Sequence, residues 1–372
     1  MVSRRRANRV RQIGQHDGGP PKEIKMADKV RFGLIGSGGQ GRYLSDALIL
    51  GGKADLVACA DPNPAAAETA VQQCGYKRAY ADAREMLAKE ALDAVIVATV
   101  HDQLKPCAML AVQAGKHVMV EKPMALTATD GRELVAAARK AGVRLMVGYT
   151  LRFMPERILM KKLLAQGAVG DVAHVIAGQL IGGMGGWLGE KARGGGPLFY
   201  IGTHVLDQVL WVVGRKAQRV YAEVTLKGTG GVEADALFTI RFEGGAVAQV
   251  CTSQRMGGRY GWLDVIGSGG RMRAEWESNA LYVESRTLEA YRNATTIAVP
   301  PDAYLPKLAP NARVNIVGFR YVRVWAAELL EFIAAIQENR DPSCSGEDGV
   351  RVLEVCDAVF ESGRTGKAVQ LS

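Results

Sequence analysis

Six residues, Gly36-Ser37-Gly38-Gly39-Gln40-Gly41, constrain this chain more than any others. They read G-x-G-x-x-G between an apolar run, Val30–Ile35, and a helical pattern that reaches about Leu50. In that setting the first glycine permits a tight turn. The second lets the backbone approach a pyrophosphate, and the third lets helix pack on strand. The first N–H groups of the helix then face the phosphate charge. All six residues are therefore candidate dinucleotide contacts. Asp61 ends the next apolar run, Leu56–Ala60, 20 residues past Gly41. A carboxylate there accepts hydrogen bonds from both ribose hydroxyls and repels a 2′-phosphate, which selects NAD over NADP. Pro62 and Asn63 follow it, with no Arg to hold a 2′-phosphate, and Asn63 is a further candidate on the cofactor side.

The runs after this loop keep alternating. Strand-like Ala94–Ala98, His117–Val120 and Arg144–Val147 are separated by helical patterns over Gln103–Ala114 and Thr129–Ala141. Continuous apolar strands between amphipathic helices predict a parallel sheet covered on both faces, and right-handed crossovers make it doubly wound. Past Gly148 the period changes. A helix at Pro155–Gln166 precedes strand-like Val172–Leu180, a glycine-rich stretch over Gly182–Gly196 and a helix from about Gly202 to Val213. From Ala217 to Val283, period-two runs joined by turns such as Glu243-Gly244-Gly245 predict a largely antiparallel open sheet. Residues 286–316 read as irregular, and helices at Tyr321–Asn339 and Gly346–Ser362 finish the chain. The fold class is thus α/β: a Rossmann-type domain over 29–148, then an α/β domain over 149–372.

The formal charge of +9 does not indicate a nucleic-acid binder. Residues 1–25 hold seven cations against two acids, which leaves +4 for the other 347 residues. That segment lacks hydrophobic periodicity and interleaved aromatics, so residues 1–28 read as a disordered basic arm, with Met26 a candidate start. No apolar h-region follows Arg4-Arg5-Arg6, and no run of about 18 uncharged apolar residues occurs, so neither export nor membrane insertion is expected. Six scattered cysteines without a CxxC pair suggest a reducing cytoplasm and no metal site.

Two further clusters carry chemistry. Lys122 follows the fifth apolar strand, and carboxyl ends of strands line the ligand crevice of such sheets. A Lys there can bind a substrate hydroxyl and stabilise developing alkoxide charge. In Tyr200-Ile201-Gly202-Thr203-His204-Val205-Leu206-Asp207, residues i, i+4 and i+7 share a helical face, so Tyr200, His204 and Asp207 are expected to project toward one pocket. His204 suits proton exchange near neutrality, with Asp207 orienting its ring. Tyr149 and Arg152 are expected on the substrate side, where Arg suits a carboxylate or vicinal hydroxyls. Trp187, in the glycine-rich stretch, is expected to cover a sugar face.

These segments together resemble the glucose-fructose oxidoreductase/inositol dehydrogenase/rhizopine catabolism (Gfo/Idh/MocA) family from about residue 30 to 370. Val120-Glu121-Lys122-Pro123 is similar to its EKP signature, and Ala98-Thr99-Val100-His101 to its A-T-P-N segment. Gly148–Phe153 is similar to G-Y-N-x-R-F, and Gly194–Asp207 to its glycine and histidine block. The resemblance implies that Thr99, His101, Glu121 and Lys122 contact the cofactor. It also implies a cis Lys122–Pro123 peptide, and an open sheet used to build a dimer or tetramer. The family usually has Asp where this chain has Tyr200. Asp207 then takes over the orienting role, or Tyr200 acts as an acid beside Lys122, or the chemistry is altered.

The expected function is NAD(H)-dependent hydride transfer at a secondary hydroxyl or ketone of a sugar, cyclitol or derivative. Lys122, His204, Tyr200 and Asp207 are its expected catalytic residues. The substrate side is assigned to Lys122, Tyr149, Arg152, Trp187, His204 and Asp207. The resemblance also implies two alternatives, a non-enzymatic NAD-binding regulator or a glycoside-cleaving enzyme with internal redox cycling.

Overall fold

The computed structural model describes residues 29–226, 231–276, 278–301, 303–305 and 319–371. The expected basic arm lies outside them, as does much of the irregular stretch before the penultimate helix. Two sheets organise the chain.

The first contains β1 (Val30–Ile35), β2 (Ala54–Ala60), β3 (Arg78–Tyr80), β4 (Ala94–Val97), β5 (His117–Val120) and β6 (Leu145–Val147). All its pairings are parallel, in the order β3-β2-β1-β4-β5-β6. The intervening helices are α1 (Gly39–Gly51), α2 (Pro64–Cys74), α3 (Ala83–Lys89), α4 (His101–Gln113) and α5 (Ala128–Ala141). β4 is buried along its whole length, which is why its sequence is a continuous apolar run rather than an alternation. The order reverses between β1 and β4, and crevices open at such switch points. α4 begins at His101, two residues before the expected start at Gln103, so His101 occupies its first turn.

The second region holds α6 (Pro155–Ala165), β7 (Val172–Ile181), α7 (Thr203–Val213), β8 (Ala217–Leu226), β9 (Glu233–Phe242), β10 (Val247–Ser253), β11 (Arg259–Gly267), β12 (Gly270–Glu275), β13 (Ala280–Ser285) and β14 (Thr295–Ala298). α8 (Phe319–Gln337), α9 (Gly346–Thr365) and the short β15 (Val369–Gln370) follow. The nine-stranded sheet runs β14-β13-β12-β11-β7-β10-β9-β8-β15. Its pairs are antiparallel except β7 with β10. One face is covered by α7 and α9, while Ile176, Tyr221 and Leu237 stand exposed on strands of the same sheet. The strand β14 falls where an irregular segment is expected: its β-branched Thr295-Thr296-Ile297 pairs with Leu281–Val283. α8 packs on α1 and α9 on α5, so the C-terminal helices join the two regions into one core.

A second departure matters for the site. Leu198–Gly202 forms a π-helical turn ahead of α7. Such a turn carries more residues than an α-turn, so an i, i+4, i+7 face drawn on an unbroken α-helix is not the face the chain builds.

Candidate active site

The carboxyl ends of β1, β4 and β5 converge on one cleft of about 380 Å3. The glycine loop shapes its cofactor end. Gly36 has φ +95°, and a Cβ there would lie 2.5 Å from the Ala98 carbonyl oxygen. A Cβ on Gly41 would lie 2.1 Å from the Gly36 carbonyl oxygen, so helix and strand approach only because both residues are glycine. Gly38 and Gly39 face open space. This cradle fits a pyrophosphate over the α1 N-terminus. Asp61 reaches back over the loop, where its Oδ2 accepts from the Ser37 N–H at 2.8 Å and its Oδ1 from the Asn63 N–H at 2.8 Å. Each oxygen keeps a lone pair for a ribose hydroxyl. Asn63 caps α2 through its side chain and meets Asp61 through its own N–H.

Glu121 ties loop to strand. It is buried, accepts from Gln40 Nε2 at 2.8 Å and from the Lys122 N–H at 3.1 Å, and burial raises its carboxyl pKa. The Lys122–Pro123 peptide is cis. Lys122 Nζ donates to the Tyr200 carbonyl at 2.6 Å and stands 5.0 Å from the centre of the Tyr200 ring. Burial pushes its pKa down to about 8; Glu121 opposes that shift and the Arg259 charge adds to it. His204 lines the same cleft with Nδ1 unpartnered. Burial, then the Lys122 and Arg259 charges, hold its pKa well below the ordinary value, so the imidazole is neutral.

Thr99 and His101 also line the cleft. His101 Nδ1 donates to the Gly194 carbonyl at 2.8 Å, and its ring meets Trp187 edge-on at 4.6 Å. Burial and the Lys122 charge push its pKa down to about 3, so it is a neutral clasp holding the glycine-rich segment to the cofactor side. Trp187 thereby forms part of the cleft wall.

Three expected substrate-side residues lie elsewhere. Asp207 does not join Tyr200 and His204; its carboxylate accepts from Arg152 Nε at 2.8 Å and from Arg152 Nη2. Arg152 in turn donates to the Ser343 carbonyl at 2.7 Å and to Asp348 at 3.2 Å. Asp207 lies one turn along α7 from His204; a buried carboxylate needs a charge partner, and Arg152 supplies it from the turn after β6. Arg152 is thus spent inside the fold and is not free for a ligand. Tyr149, 1% exposed, is a core residue. The orienting role expected of Asp207 has no geometric basis.

Other cleft residues carry weaker sequence signals. Gln179 shares the buried phase of β7 with Val175 and Ala177, and a polar residue in that phase is the readable sign. Tyr321 and Trp325 stand at i and i+4 on α8, with ring centres 5.9 Å apart. Arg259, at the start of β11, had no local signal.

Fold and cleft together define a dinucleotide-dependent oxidoreductase. Residues 30–149 match the oxidoreductase family with an NAD-binding Rossmann fold, and residues 158–273 match the Gfo/Idh/MocA C-terminal domain. This chain belongs to the Gfo/Idh/MocA oxidoreductase family. It is 26% identical to 1,5-anhydro-D-fructose reductase of Ensifer adhaerens, across 92% of this chain and 98% of that protein. It is 28% identical to inositol 2-dehydrogenase of Rhizobium meliloti, across 90% and 96%. Among solved structures, levoglucosan dehydrogenase in complex with NADH superposes with a TM-score of 0.82 at 25% identity, over 92% of this chain and 99% of that one. Among the described residues no helix is long and apolar enough to cross a membrane.

Proposed function

We propose that this protein is a dehydrogenase that oxidises a secondary hydroxyl of a sugar- or polyol-type substrate, and reduces the ketone in reverse, with residues 29–148 holding NAD and residues 149–372 the substrate. The observation that carries the reading is the meeting of Lys122 and His204 in the cleft that the glycine loop opens into. The named relatives act on compounds of this class. The glycine loop and Asp61 would hold NAD, which would supply the hydride acceptor.

The chain's own residues manage the proton. Neutral His204 offers an unpartnered Nδ1 to the substrate hydroxyl. Lys122 titrates near working pH, and general acid–base efficiency is greatest there. In oxidation its neutral amine takes the hydroxyl proton as the C–O bond becomes a carbonyl. In reduction its ammonium returns that proton. Tyr200 holds the amine through its carbonyl and ring face, which makes it a positioning residue rather than an acid. Asp61 selects NAD, and Trp187 screens the reacting carbon from water.

Assembly through the exposed sheet face into a dimer or tetramer, and residence in a reducing cytoplasm, complete the proposal. The first is supported by exposed Tyr221 and Leu237, the second by free cysteines at all six positions. No nucleic-acid or membrane partner is invoked. The test is steady-state absorbance of reduced nicotinamide across a panel of sugars and cyclitols. NADH formation that vanishes in Lys122→Ala supports the reading, and tight NAD binding with no turnover across the panel opposes it.

A further inference from the structure

The substrate end of the cleft has an unbalanced charge. Lys122 and Arg259 both face it, and among the described residues that line it Glu121 is the one carboxylate. Glu121 is already committed to Gln40 and the Lys122 amide. Position 200 adds no carboxylate, since Tyr stands there. Glu328 lies behind the wall and accepts from the Thr150 hydroxyl at 2.9 Å.

Arg259 has no carboxylate partner among the described residues. Its guanidinium lies 5.8 Å from the centre of the Trp276 ring. Trp276 opens a run of aromatic rings: Tyr321 at 6.4 Å, Trp325 a further 5.9 Å on, and Tyr43 of α1 stacked on Trp325 at 5.6 Å. This wall holds the guanidinium by stacking and leaves its donor edge for a ligand. Arg259 lines the same cleft as Lys122, His204 and Gln179, and its charge adds to the lowering of the Lys122 and His204 pKa values.

A second, independent feature points the same way. Gln179 is 1% exposed, lines the cleft, and has neither amide oxygen nor amide nitrogen paired. A buried amide left so is costly unless a ligand completes it. Its nitrogen can donate to an oxyanion and its oxygen can accept from a hydroxyl.

We infer that the substrate is an anionic polyhydroxy compound, with its reacting carbinol at Lys122 and His204 and its oxyanion held by Arg259 and Gln179. This inference rests on the dehydrogenase reading above and narrows its substrate class. A sugar carboxylate and a sugar phosphate share the required chemistry.

The full-length protein with NAD is assayed on the aldonates and uronates of glucose, galactose and mannose, on their 6-phosphates, and on the uncharged parent sugars. At least a tenfold higher kcat/KM for one anionic series is expected, and which series wins identifies carboxylate or phosphate. In Arg259→Gln the anionic-to-neutral ratio falls at least tenfold, mainly through KM, and Arg259→Lys restores part of it. Gln179→Leu lowers the same ratio. Parent sugars turned over better than every anion would overturn the inference while leaving the dehydrogenase reading intact. So would an Arg259→Gln variant that loses NAD affinity instead of selectivity. If nothing turns over, tryptophan fluorescence of the NADH complex decides. Anions that quench at tenfold lower concentration than parent sugars support the oxyanion site at Arg259 and Gln179 and overturn the dehydrogenase reading alone. Equal quenching overturns both.

Discussion

α7 and the π-turn before it separate two clusters built from similar side chains. On one side Lys122, Tyr200 and His204 meet in the cleft, with an amine near neutrality and a ring nitrogen unpartnered. On the other, Arg152, Asp207 and Asp348 exchange charge-assisted hydrogen bonds among themselves. The difference lies in satisfaction, not in residue type. Polar groups whose partners are all internal hold the fold together. Groups whose partners are missing await a ligand.

Substitutions on either side press on that contrast. Lys122→Ala should lower kcat/KM about a hundred- to ten-thousand-fold with the thermal midpoint nearly unchanged; an equal loss of stability would make Lys122 a structural residue. Asp207→Ala should do the reverse, costing roughly 3–5 kcal/mol in urea unfolding because Arg152 is left charged and buried. Arg152→Met combined with Asp207→Leu should recover most of that stability, as paired apolar replacements of buried ion pairs often do.

Smaller effects refine the cofactor and proton roles. Asp61→Ala removes charged acceptors worth roughly 1.5–3 kcal/mol per bond, so NAD affinity should fall and NADP be tolerated, as read by titration of each. The pH dependence follows from Lys122, whose pKa of about 8 lies below its ordinary value. Below that pH the ammonium has no lone pair for a proton, so kcat/KM for oxidation should fall about tenfold per pH unit. Reduction needs the ammonium and should instead fall as pH rises through the same value. Lys122→Arg should abolish both limbs, because a guanidinium does not titrate there. Tyr200→Phe keeps the ring and the carbonyl and should leave kcat within about twofold; a large loss would restore the phenol to an acid role.

Much of the cofactor half was legible in the chain because its determinants are local. A glycine that must adopt φ +95°, a helix that must start four residues after a strand, and an acid 20 residues on are constraints between near neighbours. The substrate half was less legible. The helical-face argument grouped Tyr200, His204 and Asp207; Tyr200 and His204 do share the cleft across the π-turn, but Asp207, three residues on within α7, turns to Arg152. Arg152 looked available because its partners, Asp207 and Asp348, are 55 and 196 residues away. Arg259 was invisible for the same reason: nothing within its strand indicates which cleft it enters.

The sequence by itself determined the cofactor, the doubly wound sheet and the positions of Lys122 and His204, since strand ends and glycine turns are written in short-range steric and hydrogen-bonding rules. Only the tertiary structure decided which charges cancel. Arg152 and Arg259 are the same residue type, yet one is closed by two carboxylates and the other faces a cleft with none to spare. Electrostatic partnership depends on distance through space, and distance along the chain does not report it.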